Sequence, residues 1–195
     1  MYPYINIGDL QLPVYGLMMV LGFSVAAAVS MIRGRSRGLP EEAMIIVMVC
    51  ATAMAMIGLK LVYILSMPPD NIAAVIETEG FIALFVNAGL VFYGGVIGGA
   101  VGAFAGLRIC KVECGGLFFQ AMVPAIPLGH AIGRAGCFFS GCCYGIPHVG
   151  FASVAYVQPI GGAPIGVPLF PVQLLEALVC IVIFAVLTGF GKKLP

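Results

Sequence analysis

Apolar residues in this chain come in long unbroken stretches, with polar residues gathered between them. A stretch of about twenty apolar residues is long enough to cross a bilayer as a helix. The first runs from about Val14 to Ile32 and stops at Arg33, Arg35 and Arg37. The second runs from about Ala43 to Leu65 and closes at Met67-Pro68-Pro69-Asp70. The third covers roughly Leu90 to Leu107, before Arg108 and Lys111. A fourth, from about Leu117 to Leu128, is short and interrupted by Pro124 and Pro127, breaks that a membrane tolerates where protein or a cavity satisfies the freed backbone. The fifth runs from about Leu169 to Phe190, before Lys192 and Lys193. Between the second and third, IAAVIETEGFIALF suits an interfacial helix lying along the membrane surface. The pattern predicts an all-α polytopic membrane protein with five transmembrane helices in a single transmembrane domain, 1–195.

Composition removes the alternatives. Hydrophobic residues make up 62% of the 195 and charged residues 9%, with a mean hydropathy of +1.13. That is far below the roughly 25% charge of soluble domains. A net charge of +1 and the lack of a basic patch give no reason to expect nucleic acid as a partner. No lysine or arginine precedes the first apolar run, so a retained span is expected there, not a cleaved signal peptide. The positive-inside rule then sets the orientation. With the N-terminus outside and the C-terminus cytoplasmic, seven of the nine basic residues fall on the cytoplasmic side.

Lys60 and Arg134 break that rule. An ionisable side chain at membrane depth costs about 2.5–3.5 kcal/mol on insertion scales and marks a functional site by default. Lys60 also lies within reach of the outer headgroups, where its ammonium could snorkel. Arg134 sits in HAIGRAGCFFSGCCYG, residues 130–145, among Gly129, Gly133, Gly136, Gly141 and Gly145. Glycines let a backbone approach a ligand and free N–H groups to face an anion, and arginine adds a planar fork for phosphate oxygens. A phospholipid headgroup is the expected ligand. GLVFYGGVIGGAVGAFAG, 89–106, suits close helix packing, although the Tyr93 hydroxyl could face the same cavity. Gln173 and Glu176 are three residues apart on one helix face. Glu176 either favours the helix N-terminus there or pairs with Arg134 or Lys60.

Cys137, Cys142 and Cys143 fall on the expected outer side, where a disulfide from Cys137 to one of the pair is permitted. Zinc held with His130 or His148 is a second reading, though C-x4-C-C matches no common ligand spacing, and small-residue packing is a third. Cys50 and Cys180 behave as small hydrophobes within spans, and Cys110 and Cys114 are expected on the cytoplasmic side, reduced.

At these residues the chain resembles the prolipoprotein diacylglyceryl transferases, bacterial inner-membrane enzymes. Val14-Tyr15-Gly16-Leu17 resembles the family's Tyr-Gly-Leu. Gly58-Leu59-Lys60-Leu61-Val62-Tyr63 resembles its G-x-R-L-x-Y, and Phe92-Tyr93-Gly94-Gly95 falls where many members have His-Gly-Gly. Gly133-Arg134-Ala135-Gly136-Cys137-Phe138 through Gly141 resembles the signature G-R-x-G-N-F-x-N-G. Phe170-Pro171-Val172-Gln173-Leu174-Leu175-Glu176 resembles H-P-x-Q-L-Y-E.

The resemblance implies transfer of the diacylglyceryl group of phosphatidylglycerol to the lipobox cysteine of a prolipoprotein, with no metal or organic cofactor. Arg134 would hold the phosphate and stabilise charge developing on it. Tyr93 replaces the histidine usually taken as the base. Tyrosine, with a pKa near 10, suits orienting the substrate better, which leaves His130 as the candidate base. Tyr15, Lys60, Gly94, Gly95, Gly133, Gly136, Cys137, Ser140, Gly141, Gln173 and Glu176 are the implied substrate-binding residues. Cys137 and Ser140 stand in place of signature asparagines. The family's usual pattern has two further spans carrying a second arginine. No segment here matches them, so Lys60 is the candidate second cation. The competing readings are a non-catalytic relative that binds or moves a lipid or other anion, and a thiol-redox or metal site built on the three cysteines.

Overall fold

The computed structural model describes residues 3–8, 10–87, 89, 91–112 and 115–190. Cys114, Lys192, Lys193 and the expected third-span start at Leu90 lie outside them. In chain order the elements are β1 (Tyr4–Ile7), β2 (Leu10–Pro13), α1 (Val14–Arg35), α2 (Glu41–Leu65), α3 (Pro69–Glu79) and α4 (Phe81–Asn87). There follow α5 (Phe92–Ile109), α6 (Gly115–Met122), α7 (Ala125–Ser140), β3 (Val154–Ala155), β4 (Pro168–Leu169) and α8 (Val172–Phe190). Among the described residues, five stretches are long and apolar enough to cross a membrane: α1, α2, α5, α6 with α7, and α8. The protein is a mostly helical, multi-pass membrane protein.

Two compact units divide the chain, Met1–Arg37 with Leu117–Pro195, and Gly38–Gly116. In the first, α1 packs on α7 and α7 on α8. The crossing of α1 and α7 is made by Gly22 and Gly129: a Cβ on Gly22 would lie 2.8 Å from the Gly129 carbonyl oxygen. Arg33 and Arg35 close α1 in its last turn, where cations complement the helix dipole. The Arg33 guanidinium donates to the Gln120 carbonyl at 3.1 Å. Ahead of α1, β1 and β2 form an antiparallel hairpin in which Ile7 pairs with Leu10, and Gly8 opens the turn with φ +61°. Between α7 and α8, β3 pairs with β4, and Tyr156, Ala163 and Leu169 form a small core. These strands are an addition to the all-α expectation.

In the second unit, α2 packs on α5. Glu41 and Glu42 occupy the first turn of α2, the favourable end for anions. Gly94, Gly98, Gly102 and Gly106 are all buried, one per turn, on one face of α5. A Cβ on Gly98 would overlap the Met54 carbonyl oxygen of α2, and one on Gly94 would overlap that of Gly58. The backbones touch, as small-residue ladders allow in membranes. The single interfacial helix expected after α2 is two, α3 and α4, because Gly80 at φ +87° ends the first. Pro69 at the first position and Asp70 in the first turn of α3 suit its N-terminus.

The expected fourth span is corrected. The apolar pattern ends it near Leu128 and leaves the glycine-rich motif beyond it as an open segment. Instead α7 continues to Ser140. Pro124 is its N-cap and Pro127 lies in its first turn, where the missing N–H breaks no intrahelical bond.

Candidate functional site

Because α7 is continuous, the N–H groups of Gly133 and Gly136 are spent in the helix ladder. The expected anion-facing glycine loop is therefore replaced by a helix face. Gly136 allows close packing on α1, since its Cβ would lie 2.9 Å from Met18 Cβ and 3.5 Å from a ring carbon of Tyr15. Gly133 is less tightly covered, with only Met19 Sδ at 3.5 Å.

Arg134 projects toward α8. Its Nε lies 2.8 Å from Oε2 of Glu176, and the two side chains are 23% and 41% exposed. These two atoms are not aligned as a hydrogen bond, so the contact is electrostatic. A charge within a span is stabilised by such a partner. Partial exposure leaves the guanidinium accessible to a second anion. His130 is half-buried one turn earlier on α7. Of the two readings of Glu176, pairing with Arg134 is the one the geometry has.

Ser140 and Gln173 are engaged with protein. Ser140 is buried and its hydroxyl donates to the Gly136 carbonyl at 3.0 Å. Gln173 is fully buried; its amide donates to the Cys142 carbonyl at 2.8 Å and approaches the Tyr156 hydroxyl at 3.4 Å. Gly141 ends α7 in the left-handed conformation, φ +70°. Tyr156, which carries no signal in the sequence pattern, lies against Gly141: a Cβ there would be 3.1 Å from its ring. Burial pushes the Tyr156 hydroxyl above its ordinary pKa. Cys137, Cys142 and Cys143 are free thiols, which sets aside the disulfide among their three readings. Burial pushes the Cys142 thiol up to about 12, helped by the Cys137 and Cys143 thiols beside it.

Lys60, Tyr93, Gly94 and Gly95 belong to the other unit. Lys60 Nζ donates to the Phe85 carbonyl at 2.9 Å and lies 5.5 Å from that ring's centre, which ties α2 to α4. Tyr93 is 75% exposed at the start of α5, edge-on to Phe92. Gly95 faces the Leu59 side chain, so both glycines serve the α2–α5 contact.

The match to the family model described as prolipoprotein diacylglyceryl transferase spans residues 3–194. The chain belongs to the prolipoprotein diacylglyceryl transferase family. A phosphatidylglycerol–prolipoprotein diacylglyceryl transferase of Dehalococcoides mccartyi is 34% identical over 192 residues, 97% of this chain and 70% of that protein. One from Clostridium perfringens, named transferase 2, is 28% identical over 192 residues, 96% of this chain and 71% of its own length. One from Frankia alni is 31% identical over 193 residues, covering 97% and 50%. For this family member, a paired arginine inside a membrane helix is the feature to explain.

Proposed function

We propose that the protein transfers the diacylglyceryl group of phosphatidylglycerol to the lipobox cysteine thiol of a prolipoprotein, at the outer face of the bacterial plasma membrane. Arg134 carries the reading: a guanidinium within a span, held by Glu176 yet accessible, suits the lipid phosphate. The substrate sulfur attacks the glyceryl carbon and the C–O bond breaks. The electron pair leaves with glycerol phosphate, whose developing charge Arg134 stabilises. The thiol proton goes to His130, one helical turn from Arg134. Tyr15 and Gly136 shape the α1–α7 face beside Arg134, and Gly133, Cys137, Ser140, Gly141 and Gln173 extend or support it. The roles of Tyr93 as an orienting hydroxyl, of Lys60 as a second cation and of Gly94 and Gly95 rest on the family pattern alone. The N-terminus is outside and the C-terminus cytoplasmic, and the whole chain works as one transmembrane domain without nucleic acid or organic cofactor.

The test mixes purified protein with phosphatidylglycerol and a lipobox peptide and follows the peptide by mass spectrometry. A diacylglyceryl mass gain is expected. Folded, lipid-binding protein that gives no gain contradicts the proposal.

A further inference from the structure

Three thiols gather where α7 ends. Cys137 is in the last turn of the helix, and Gly141 turns the chain back so that the Cys142 N–H donates to the Cys137 carbonyl at 3.1 Å. Cys143 follows with φ +52°, a left-handed backbone uncommon outside glycine. The result places all three Sγ atoms within 4.8 Å of one another. Three sulfurs bound at about 2.3 Å to one tetrahedral ion stand roughly 3.8 Å apart. Modest side-chain rotation therefore converts this cluster into a ligand set.

The backbone that carries the thiols is pinned. The Ser140 carbonyl accepts from the N–H groups of Ile160 (3.0 Å) and Gly161 (2.9 Å), and the Gly141 carbonyl accepts from Ala163 (3.1 Å). The buried Gln173 amide holds the Cys142 carbonyl, and a Cβ on Gly161 would overlap Cys142. The Gln173 Oε1 has no donor among the described residues. Ligands held by a scaffold of this kind lose little freedom on binding. Cys143 is exposed, which gives an ion access. Neither His130, His148 nor any carboxylate joins the group among the described residues. An ion there has three protein ligands and one open corner, the arrangement of reactive rather than structural zinc. Thiolates select soft ions over magnesium or calcium.

We propose that Cys137, Cys142 and Cys143 bind one zinc-class ion through three thiolates, leaving the fourth position for an incoming thiol. Each cysteine releases its proton to solvent as its sulfur–metal bond forms. The identity of the fourth ligand rests on the transferase reading, in which the substrate is itself a thiol. Coordination lowers that thiol's pKa so that it yields its proton to His130 and becomes the thiolate that attacks carbon. Zinc changes no oxidation state.

The test loads the purified, reduced full chain with zinc, dialyses it against a weak chelator and counts metal per chain, with X-ray absorption reporting sulfur ligation. One sulfur-ligated zinc per chain is expected. Cys142→Ser and Cys143→Ser should each weaken retention at least tenfold, and Cys50→Ser should leave it unchanged. Cys143 is exposed, so its serine variant is not expected to disturb folding. Folded wild type that retains no zinc, or Cys143→Ser that retains it undiminished, overturns the site. In a second arm, cobalt(II) replaces zinc and a lipobox peptide is added without lipid. The thiolate-to-cobalt absorption should rise, and an unchanged spectrum overturns the open position. Neither arm needs turnover. Absent transfer with zinc bound would count against the transferase reading alone, whereas transfer by zinc-free protein would count against this proposal alone.

Discussion

Two glycine-lined helix contacts in this protein serve different ends. Between α2 and α5, glycines at 94, 98, 102 and 106 press one backbone on another, and a Cβ on any of them would meet atoms of α2. Between α1 and α7, Gly22 and Gly129 make one close approach and Gly136 on Met18 another, and between them the covering thins to Met19 at Gly133. Polar chemistry sits in that second region: His130, Arg134 and, on α8, Glu176. Glycine every fourth residue without interruption builds a joint. Glycine interrupted by an arginine builds a joint beside a site.

The largest effect expected from breaking this contrast is on the joint. Gly98→Leu forces a side chain into the Met54 carbonyl, beyond the roughly 1–3 kcal/mol of ordinary overpacking because backbone cannot rotate away. Little folded protein should survive in detergent by size-exclusion chromatography. Gly99→Ala, whose Cβ would have only ordinary contacts at 3.6 and 3.8 Å, should behave as wild type. On the site side, Glu176→Gln removes the charge that orients Arg134. It should lower kcat/KM roughly tenfold, with a small drop in melting temperature because Arg134 loses its partner charge. Gln173→Leu leaves the Cys142 carbonyl without its donor, and should cost about 1–3 kcal/mol in thermal unfolding.

The smallest effect is a pH dependence. Burial raises the Tyr156 hydroxyl pKa, so its contribution to stability is complete below about pH 10 and falls as pH rises above it. Tyr156→Phe should flatten that decline in a series of melting curves.

Much of the fold is legible in the sequence, because bilayer thickness and apolar run length are directly coupled. Four spans fall within a few residues of their helices. The fourth misleads because Pro124 and Pro127 read as breaks, while at a helix start proline is at home. The β1–β2 hairpin has a local signal, Gly8-Asp9 between apolar residues, that the apolar runs overshadow. The site is half legible. Arg134 stands out by its cost in a membrane, and the sequence offers it to Glu176 as one of two partners. Gln173 shares a predicted face with Glu176, yet one holds a loop and the other a guanidinium. Those partners come from segments about thirty and forty residues upstream, which no local period encodes.

The role of Arg134 is tested most directly by peptide lipidation with Arg134→Ala beside wild type, with the melting curve of each. Turnover should fall by roughly 10²–10³, as for removal of a group that stabilises developing charge, in a protein that still folds. Turnover within a few fold of wild type would contradict it and move the phosphate site away from α7.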